Sequence, residues 1–352
     1  MQTSTLSYLF RGIAIVFILF AGTATAQGLA IASWNIERLG HGSSKNYEAL
    51  GVVGASFDFI AVQEAMTDEG MVLFHEALEN VTGEAWAMMY SHPIGRGSYK
   101  EQYGFIWRES TVAYESGAVV YLDRQDLYAR EPYSARFVDR TTGDLFVAAT
   151  VHILYGDGVS DRTPEINELG AYWGWLRQTY DNTPVLLMGD FNLAPTHPAW
   201  GALLDRGAIP VITRGATTLS SIDGRYANLY DNIWVARDTR LNIQSAGILR
   251  FPDVLGWTHE QGRDHVSDHA PVYVLTHQAQ LSGPGNVSVT AQPTAEEVEL
   301  APTGPIIGNR NSKIAHRPDC PSYSVVSERN QMLFNTLDDA LAGGYRLARN
   351  CP

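Results

Sequence analysis

The sequence predicts a layered α/β fold, in which two packed sheets carry helices on their outer sides, followed by a small C-terminal α+β module. Three observations predict it. Between Leu29 and His277, short apolar β-rich runs alternate with turn residues and outnumber the helical stretches. Hydrophobic residues make up 45% of the 352 residues and charged residues 18%, which suits one large domain plus an appendage and excludes a disordered or polytopic membrane chain. A stretch rich in Gln, Ser, Gly, Pro and Thr then separates this segment from a shorter one that regains Tyr, Phe and Leu.

Taken in order, the chain opens with Arg11 before an apolar run, Gly12 to Gly22, and the small residues Thr23-Ala24-Thr25-Ala26. That run is too short for the roughly 30 Å of a bilayer's hydrocarbon. Ala24-x-Ala26 fits a signal-peptidase site, so 1–26 is expected to be a cleaved signal peptide of a secreted or periplasmic protein, without stable membrane insertion. An uncleaved anchor is the alternative. Strands are expected at 29–34, 57–62, 87–90, 103–107, 118–122, 146–151, 185–188, 233–236 and 272–275. Helices are expected at 45–55, 70–80 and 164–180. The last opens on Pro164-Glu165 and sets Ile166, Leu169, Tyr172, Trp173 and Leu176 on one stripe. The main domain is thus bounded at 27–278, a linker at 279–305 and the small module at 306–352, which holds both cysteines and a helix-like run at 337–342.

Lys and Arg number 25 against 38 Asp and Glu, a net charge of −13, and removal of 1–26 makes it one unit more negative. This balance argues against holding a polyanion through net charge. It leaves open a phosphate substrate reached through bound divalent cations, which reverse the local field. Two cysteines exclude a disulfide-dense scaffold and an all-cysteine metal cluster.

Six segments set acids, amides and histidines at the ends of expected strands: SWNIE (33–37), VQE (62–64), TVHILYGD (150–157), GDFN (189–192), YDNIWV (230–235) and SDHAPV (267–272). One such residue is an ordinary turn or cap, because Asp, Glu and Asn are poor inside strands. Six in one chain exceed what capping explains. Oxygen donors of this kind suit a hard cation such as Mg²⁺.

These segments, in this order, resemble the endonuclease/exonuclease/phosphatase superfamily and, within it, the deoxyribonuclease I family. SYKEQYGFIWR (98–108) and DLYAREP (126–132) extend the resemblance beyond the generic motifs, and LLMGDFN (186–192) and VSDHAPV (266–272) match almost throughout. The resemblance implies a four-layer sandwich of two packed mixed sheets flanked by helices. It implies that Asn35 and Glu64, with Asp268 nearby, hold catalytic Mg²⁺, for which Mn²⁺ could substitute. Asp190 and Asn192 would orient the attacking water or the pentavalent phosphate. His152 would sit against Glu101 and His269 against Asp231, each carboxylate fixing its ring's tautomer and favouring the protonated form. Tyr99 would pack on a deoxyribose, and Arg130 would contact phosphate. Asp123, Asp126 and Glu131 resemble the carboxylates of a structural Ca²⁺ site, the alternative being a solvated turn.

Two departures stand out. Where the family has a minor-groove arginine two residues past the VQE glutamate, this chain has Met66. The other lies in the C-terminal module, where GNRNSKIAHRPDCP (308–321) and GYRLARNC (344–351) resemble the metal-binding domain of bacterial alkylation-repair proteins. Its four cysteine positions are here His316, Cys320, Ala348 and Cys351. A tetrahedral Zn²⁺ site would lack a ligand. An oxidising compartment favours a Cys320–Cys351 disulfide instead. Arg310, Lys313, Arg317, Arg346 and Arg349 offer a surface for nucleic acid or attachment, or a solvated face.

The sequence thus leads to an exported Mg²⁺-dependent endonuclease with DNA as its substrate, yielding 5′-phosphate and 3′-hydroxyl ends, and implies no protein partner. The alternatives are a phosphatase or a sphingomyelinase-like phospholipase C of the same superfamily, a non-catalytic binding or toxin-like subunit, or an abasic-site nuclease, against which the signal peptide argues.

Overall fold

The computed structural model describes residues 27–282 except 43, and residues 305–351 except 319, 321, 322, 324, 325, 335, 336, 349 and 350. The expected signal peptide, most of the expected linker and Arg349 lie outside the described residues. In chain order the elements of the main domain are β1 (Ala30–Leu39), α1 (Tyr47–Gly54), β2 (Phe59–Ala65), α2 (Asp68–Thr82), β3 (Trp86–Tyr90), β4 (Gln102–Arg108), β5 (Val112–Val120) and β6 (Tyr133–Asp139). There follow β7 (Leu145–His152), α3 (Val159–Thr179), β8 (Val185–Asp190), α4 (Gly201–Leu204), β9 (Ala208–Pro210), β10 (Asp231–Ala236), β11 (Ile243–Ile248), α5 (Phe251–Leu255), α6 (His259–His265) and β12 (Val272–Thr276).

One sheet runs β11-β12-β1-β2-β4-β3 and the other β5-β6-β7-β8-β10-β9. Each has one parallel pair, β1 with β2 across α1 and β7 with β8 across α3, and is antiparallel elsewhere. The parallel pairs are covered on both faces, which is why their strands read as continuous apolar runs. Along β1, Ile31 faces the other sheet while Ala30, Ala32 and Trp34 face the helices. Phe59, Phe105, Phe137 and Phe146 fill the space between the sheets, with the Phe59 and Phe137 ring centroids 4.8 Å apart. Trp34, Phe74 and Phe251 pack on the α1, α2 and α5 side, and Trp173, Trp200 and Trp234 on the α3 and α4 side. The result is helices, sheet, sheet, helices: a four-layer sandwich.

The structure extends three expectations. The strand expected at 118–122 is the end of β5, and β6, β9 and β11 are additional. Helix α3 starts at Val159, so Pro164 lies inside it. Its early turn is held from outside: Arg162 Nε donates to the Tyr155 carbonyl at 2.7 Å, and Glu165 accepts the Leu154 amide at 3.0 Å. The packed chain also runs past 278, since Leu281 joins the core and the Ser282 amide donates to the Ser56 carbonyl at 3.0 Å.

The C-terminal module is a separate small sheet of β13 (Ile306–Asn309), β14 (Ile314–His316), β15 (Gln331–Phe334) and β16 (Arg346–Leu347), with α7 (Leu337–Ala342). Ile306, Ala315, Ala340 and Tyr345 make its core. Such a core is marginal alone. Cys320 and Cys351 are joined as a disulfide closing a separation of 31 residues, which leaves no thiolate for zinc.

Candidate active site

The candidate site lies where the parallel strands of both sheets end, the edge at which α/β sheets open a crevice. In the second sheet, His152 of β7, Asp190 of β8 and Asp231 of β10 are register partners in one row. That row requires Gly189, at φ 151°: a Cβ there would stand 1.9 Å from the Val151 carbonyl oxygen. In the first sheet, β1 carries Asn35 at its last regular register pair with β2, and β2 carries Glu64 one residue before its end. Glu64 (φ 57°) and Asn192 (φ 50°) both adopt left-handed backbone, a strain that surrounding bonds must hold. The Glu64 carboxylate accepts from Asn35 Nδ2 at 3.0 Å and from the Arg38 amide at 3.1 Å, and Asn192 Nδ2 donates to the Ile153 carbonyl at 2.8 Å.

Two histidine–carboxylate pairs face each other across this edge. His152 Nδ1 is 2.8 Å from Glu101 Oε1, and His269 Nδ1 is 2.8 Å from Asp231 Oδ2. Each pair spans the two sheets. His152 is on the second sheet and Glu101 enters β4 of the first; Asp231 starts β10 of the second and His269 precedes β12 of the first. Both Nε2 atoms point at Asp190 Oδ2, from 3.5 Å and 3.7 Å. Asn35 Nδ2 reaches the same oxygen at 3.2 Å. Burial works against charging His269, but the Asp231 and Asp190 carboxylates outweigh it and hold the ring well above its ordinary value of 6.5. Burial and the Arg130 charge likewise oppose protonation of His152, yet Glu101 and Asp190 raise it. Glu101 is lowered despite its burial, by His152 and Arg130.

Glu64, Glu101 and His152 form one group of converging donor atoms, and Asp190, Asp231 and His269 another. Oε2 of Glu101 and Oδ1 of Asp231 are buried without a hydrogen-bond partner. A set of four carboxylates and two imidazoles, with unspent carboxylate lone pairs, fits a divalent cation. Asp268 lies at the rim, its Oδ1 3.8 Å from His269 Nε2 and its Oδ2 3.4 Å from the Arg263 guanidinium. Glu64, His152, Asp190, Asp268 and His269 open onto a cleft of about 540 Å³.

Other expected residues fall differently. Tyr99 is 45% exposed and lines the cleft, its hydroxyl 4.0 Å from Met66 Sδ. Arg130 is largely buried and lines the cleft. Its guanidinium pairs with Glu101 and gives two bonds to the His152 carbonyl, at 2.8 and 3.1 Å, because a buried carboxylate draws it inward. Asp123, Asp126 and Glu131 do not converge. Asp123 caps the Gln125 and Tyr128 amides at 3.1 and 2.7 Å, and Asp126 pairs with Arg96 at 3.2 Å. The local geometry is that of a self-satisfied turn.

Sequence reasoning assigned no role to several residues that build the site. Gln63 bridges the sheets, donating to Thr150 Oγ1 at 2.8 Å and to Ser33 Oγ at 3.1 Å. Ser267 Oγ donates to the Asn35 carbonyl at 2.7 Å and accepts the His269 amide at 3.0 Å. Glu165, buried in α3, also accepts the Ala129 amide at 2.8 Å, beside Arg130. A buried acid within an apolar helical stripe is a signal that could have found Glu165.

No family model matches the chain. It is 49% identical over 270 residues to a protein of Thioalkalivibrio named deoxyribonuclease, covering 74% of each chain. It is 30% identical over 198 residues to human deoxyribonuclease-1, covering 52% of this chain and 68% of the human one. A solved endonuclease/exonuclease/phosphatase family protein of Bacteroides thetaiotaomicron superposes with a TM-score of 0.54 at 18% identity, covering 71% of this chain and 97% of the other. Together with the fold, the curated relatives place the chain among hydrolases of the endonuclease/exonuclease/phosphatase class. The first two similarities narrow this further. The chain belongs to the deoxyribonuclease I-like family of hydrolytic nucleases.

Proposed function

We propose that the protein is an exported, Mg²⁺-dependent endonuclease that hydrolyses phosphodiester bonds of DNA to 5′-phosphate and 3′-hydroxyl ends. The observation that carries this reading is the pair of histidines, each anchored by a buried carboxylate, with both free ring nitrogens aimed at Asp190. Phosphodiester hydrolysis needs one group to take a proton from water and another to give one to the leaving 3′ oxygen. His152 and His269 supply both, their tautomers set by Glu101 and Asp231. Asp190 and Asn192 orient the attacking water and the phosphate. Arg130 acts as a positioning residue, holding Glu101 and the His152 backbone. Asn35, Glu64 and Asp268 would hold Mg²⁺, which when bound supplies the positive charge that offsets charge growing on the phosphate.

Export is supported by the signal-like sequence of 1–26, by the disulfide, and by the finding that no helix among the described residues is long and apolar enough to cross a membrane. The test is a substrate panel of duplex DNA, single strands, RNA, inositol phosphates and sphingomyelin, with and without Mg²⁺. Metal-dependent cutting of DNA with 5′-phosphate ends is expected. Turnover confined to inositol phosphates or sphingomyelin would replace the nuclease with a phosphatase or phospholipase, and none at all with a binding protein.

A further inference from the structure

We propose that Tyr155 is a stacking platform for an unpaired nucleobase, so that the cleft accepts a single strand with one base turned out toward its Asn192–Tyr230 side. The proposal rests on the nuclease reading and adds a subsite to it.

Tyr155 lies three residues beyond His152, is 58% exposed and lines the cleft. Exposed aromatic residues are ordinary when scattered and loose. This one is fixed. The Arg162 guanidinium lies 4.3 Å from its ring centroid, and Arg162 Nε holds its carbonyl at 2.7 Å. The Tyr230 ring meets it at 6.5 Å and 61°, and Arg162 lies 5.7 Å from that ring too. Arg162 is only 6% exposed, and among the described residues it pairs with no carboxylate. Its charge is met instead by two π faces and by the Tyr155 and Asn192 carbonyls. A cation beneath one face of a ring that is more than half exposed leaves the other face for a flat, polarisable partner. A nucleobase is such a partner, and an immobilised ring loses little freedom on stacking.

Tyr99 does not duplicate this subsite. It stands on the Glu64–Glu101 side, beside Met66, with the Arg38 and Arg130 charges near it. A base inside a duplex is already stacked and cannot reach Tyr155 without leaving it. The platform therefore favours single strands, ends and bulges.

The experiment compares the full-length protein with Tyr155→Ala and Tyr155→Phe. The substrates are labelled single-stranded oligonucleotides with one abasic residue walked through the sequence, and the matching duplex. Tyr155→Ala should lower kcat/KM on the intact single strand by about tenfold or more, from the usual worth of base–aromatic stacking. Tyr155→Phe should stay close to wild type, and duplex cutting should fall by less than about threefold. The alanine defect should vanish when the abasic residue occupies one register, because no base is then present to stack. Anisotropy of the labelled strand in EDTA should rank the three proteins in the same order. If Tyr155→Ala cuts single strands like wild type, or loses equally on duplex and at every abasic register, the platform is overturned and the nuclease stands. Failure of the wild type to cut any strand overturns the nuclease reading itself, and the platform with it.

Discussion

His152 and Asp190 are register partners on neighbouring parallel strands, and Nε2 of the ring stands 3.5 Å from Oδ2 of the carboxylate. The same oxygen lies 3.7 Å from Nε2 of His269, so one anion faces both rings. Asp190→Asn keeps the shape of this contact and removes its charge. It should lower single-turnover cleavage by about 10²–10⁴-fold with substrate affinity changed only a few-fold. A loss confined to KM would show that Asp190 only helps to bind.

His152→Ala and His269→Ala should each cost about 10²–10⁴-fold, and the double variant should resemble the worse single one, because groups acting as a unit do not lose multiplicatively. Single-turnover cleavage of a labelled duplex, with circular dichroism as the check on folding, measures this. A folded variant that keeps more than about a tenth of the rate has not lost a proton-transfer group.

Plasmid nicking in Mg²⁺ should stop in EDTA and return on adding the ion back. Glu64→Gln should raise the Mg²⁺ concentration needed for half-maximal rate, since the Glu64 carboxylate converges with Glu101 and His152. Cutting that survives exhaustive chelation would rule out a metal role.

Met66→Arg should raise duplex cutting more at low salt than at high salt. Met66 stands beside the Tyr99 hydroxyl on the cleft side, and a cation there adds a screened attraction to phosphate. Equal cutting at every ionic strength would put that side chain outside the path of the duplex.

The metal-free protein should lose stability as pH rises above about 6.5. The folded state raises His269 against its ordinary value of 6.5, despite burial, through Asp231 and Asp190. A raised pKa contributes stability that is complete below the unfolded value and is lost as pH climbs through the folded one. Thermal midpoints in EDTA across this range should therefore fall, and Asp231→Asn should flatten the fall. An unchanged slope in that variant would assign the pH dependence to other groups.

Asn35, Glu64, His152 and Asp190 were legible because each interrupts a buried apolar run at its end, where a polar side chain has no structural reason to recur. The β1, β2, β7 and β8 strands were legible for the same reason. The ion pair that buries Arg130 was not legible, since nothing local tells that Glu101, 29 positions earlier in the chain, will draw the guanidinium inward. Gln63 was visible as a motif residue, yet its work depends on Thr150 arriving from the other sheet. Tyr155 lies within the TVHILYGD segment without a periodic signal of its own, and Arg162 lies in a helical turn before Pro164, where the sequence places the helix start. Strands β9 and β11 were missed because they are short and carry Pro, Gln, Ser and Gly.

Because each histidine belongs to one sheet and its carboxylate to the other, neither pair survives separation of the two layers. Strands β5 to β10 of the second sheet are inserted in the chain between the two parts of the first, so His269 is made after the two carboxylates it faces, Asp190 and Asp231. The cluster of His152, Asp190, Asp231 and His269 is therefore completed only when the chain returns to close the first sheet with β12.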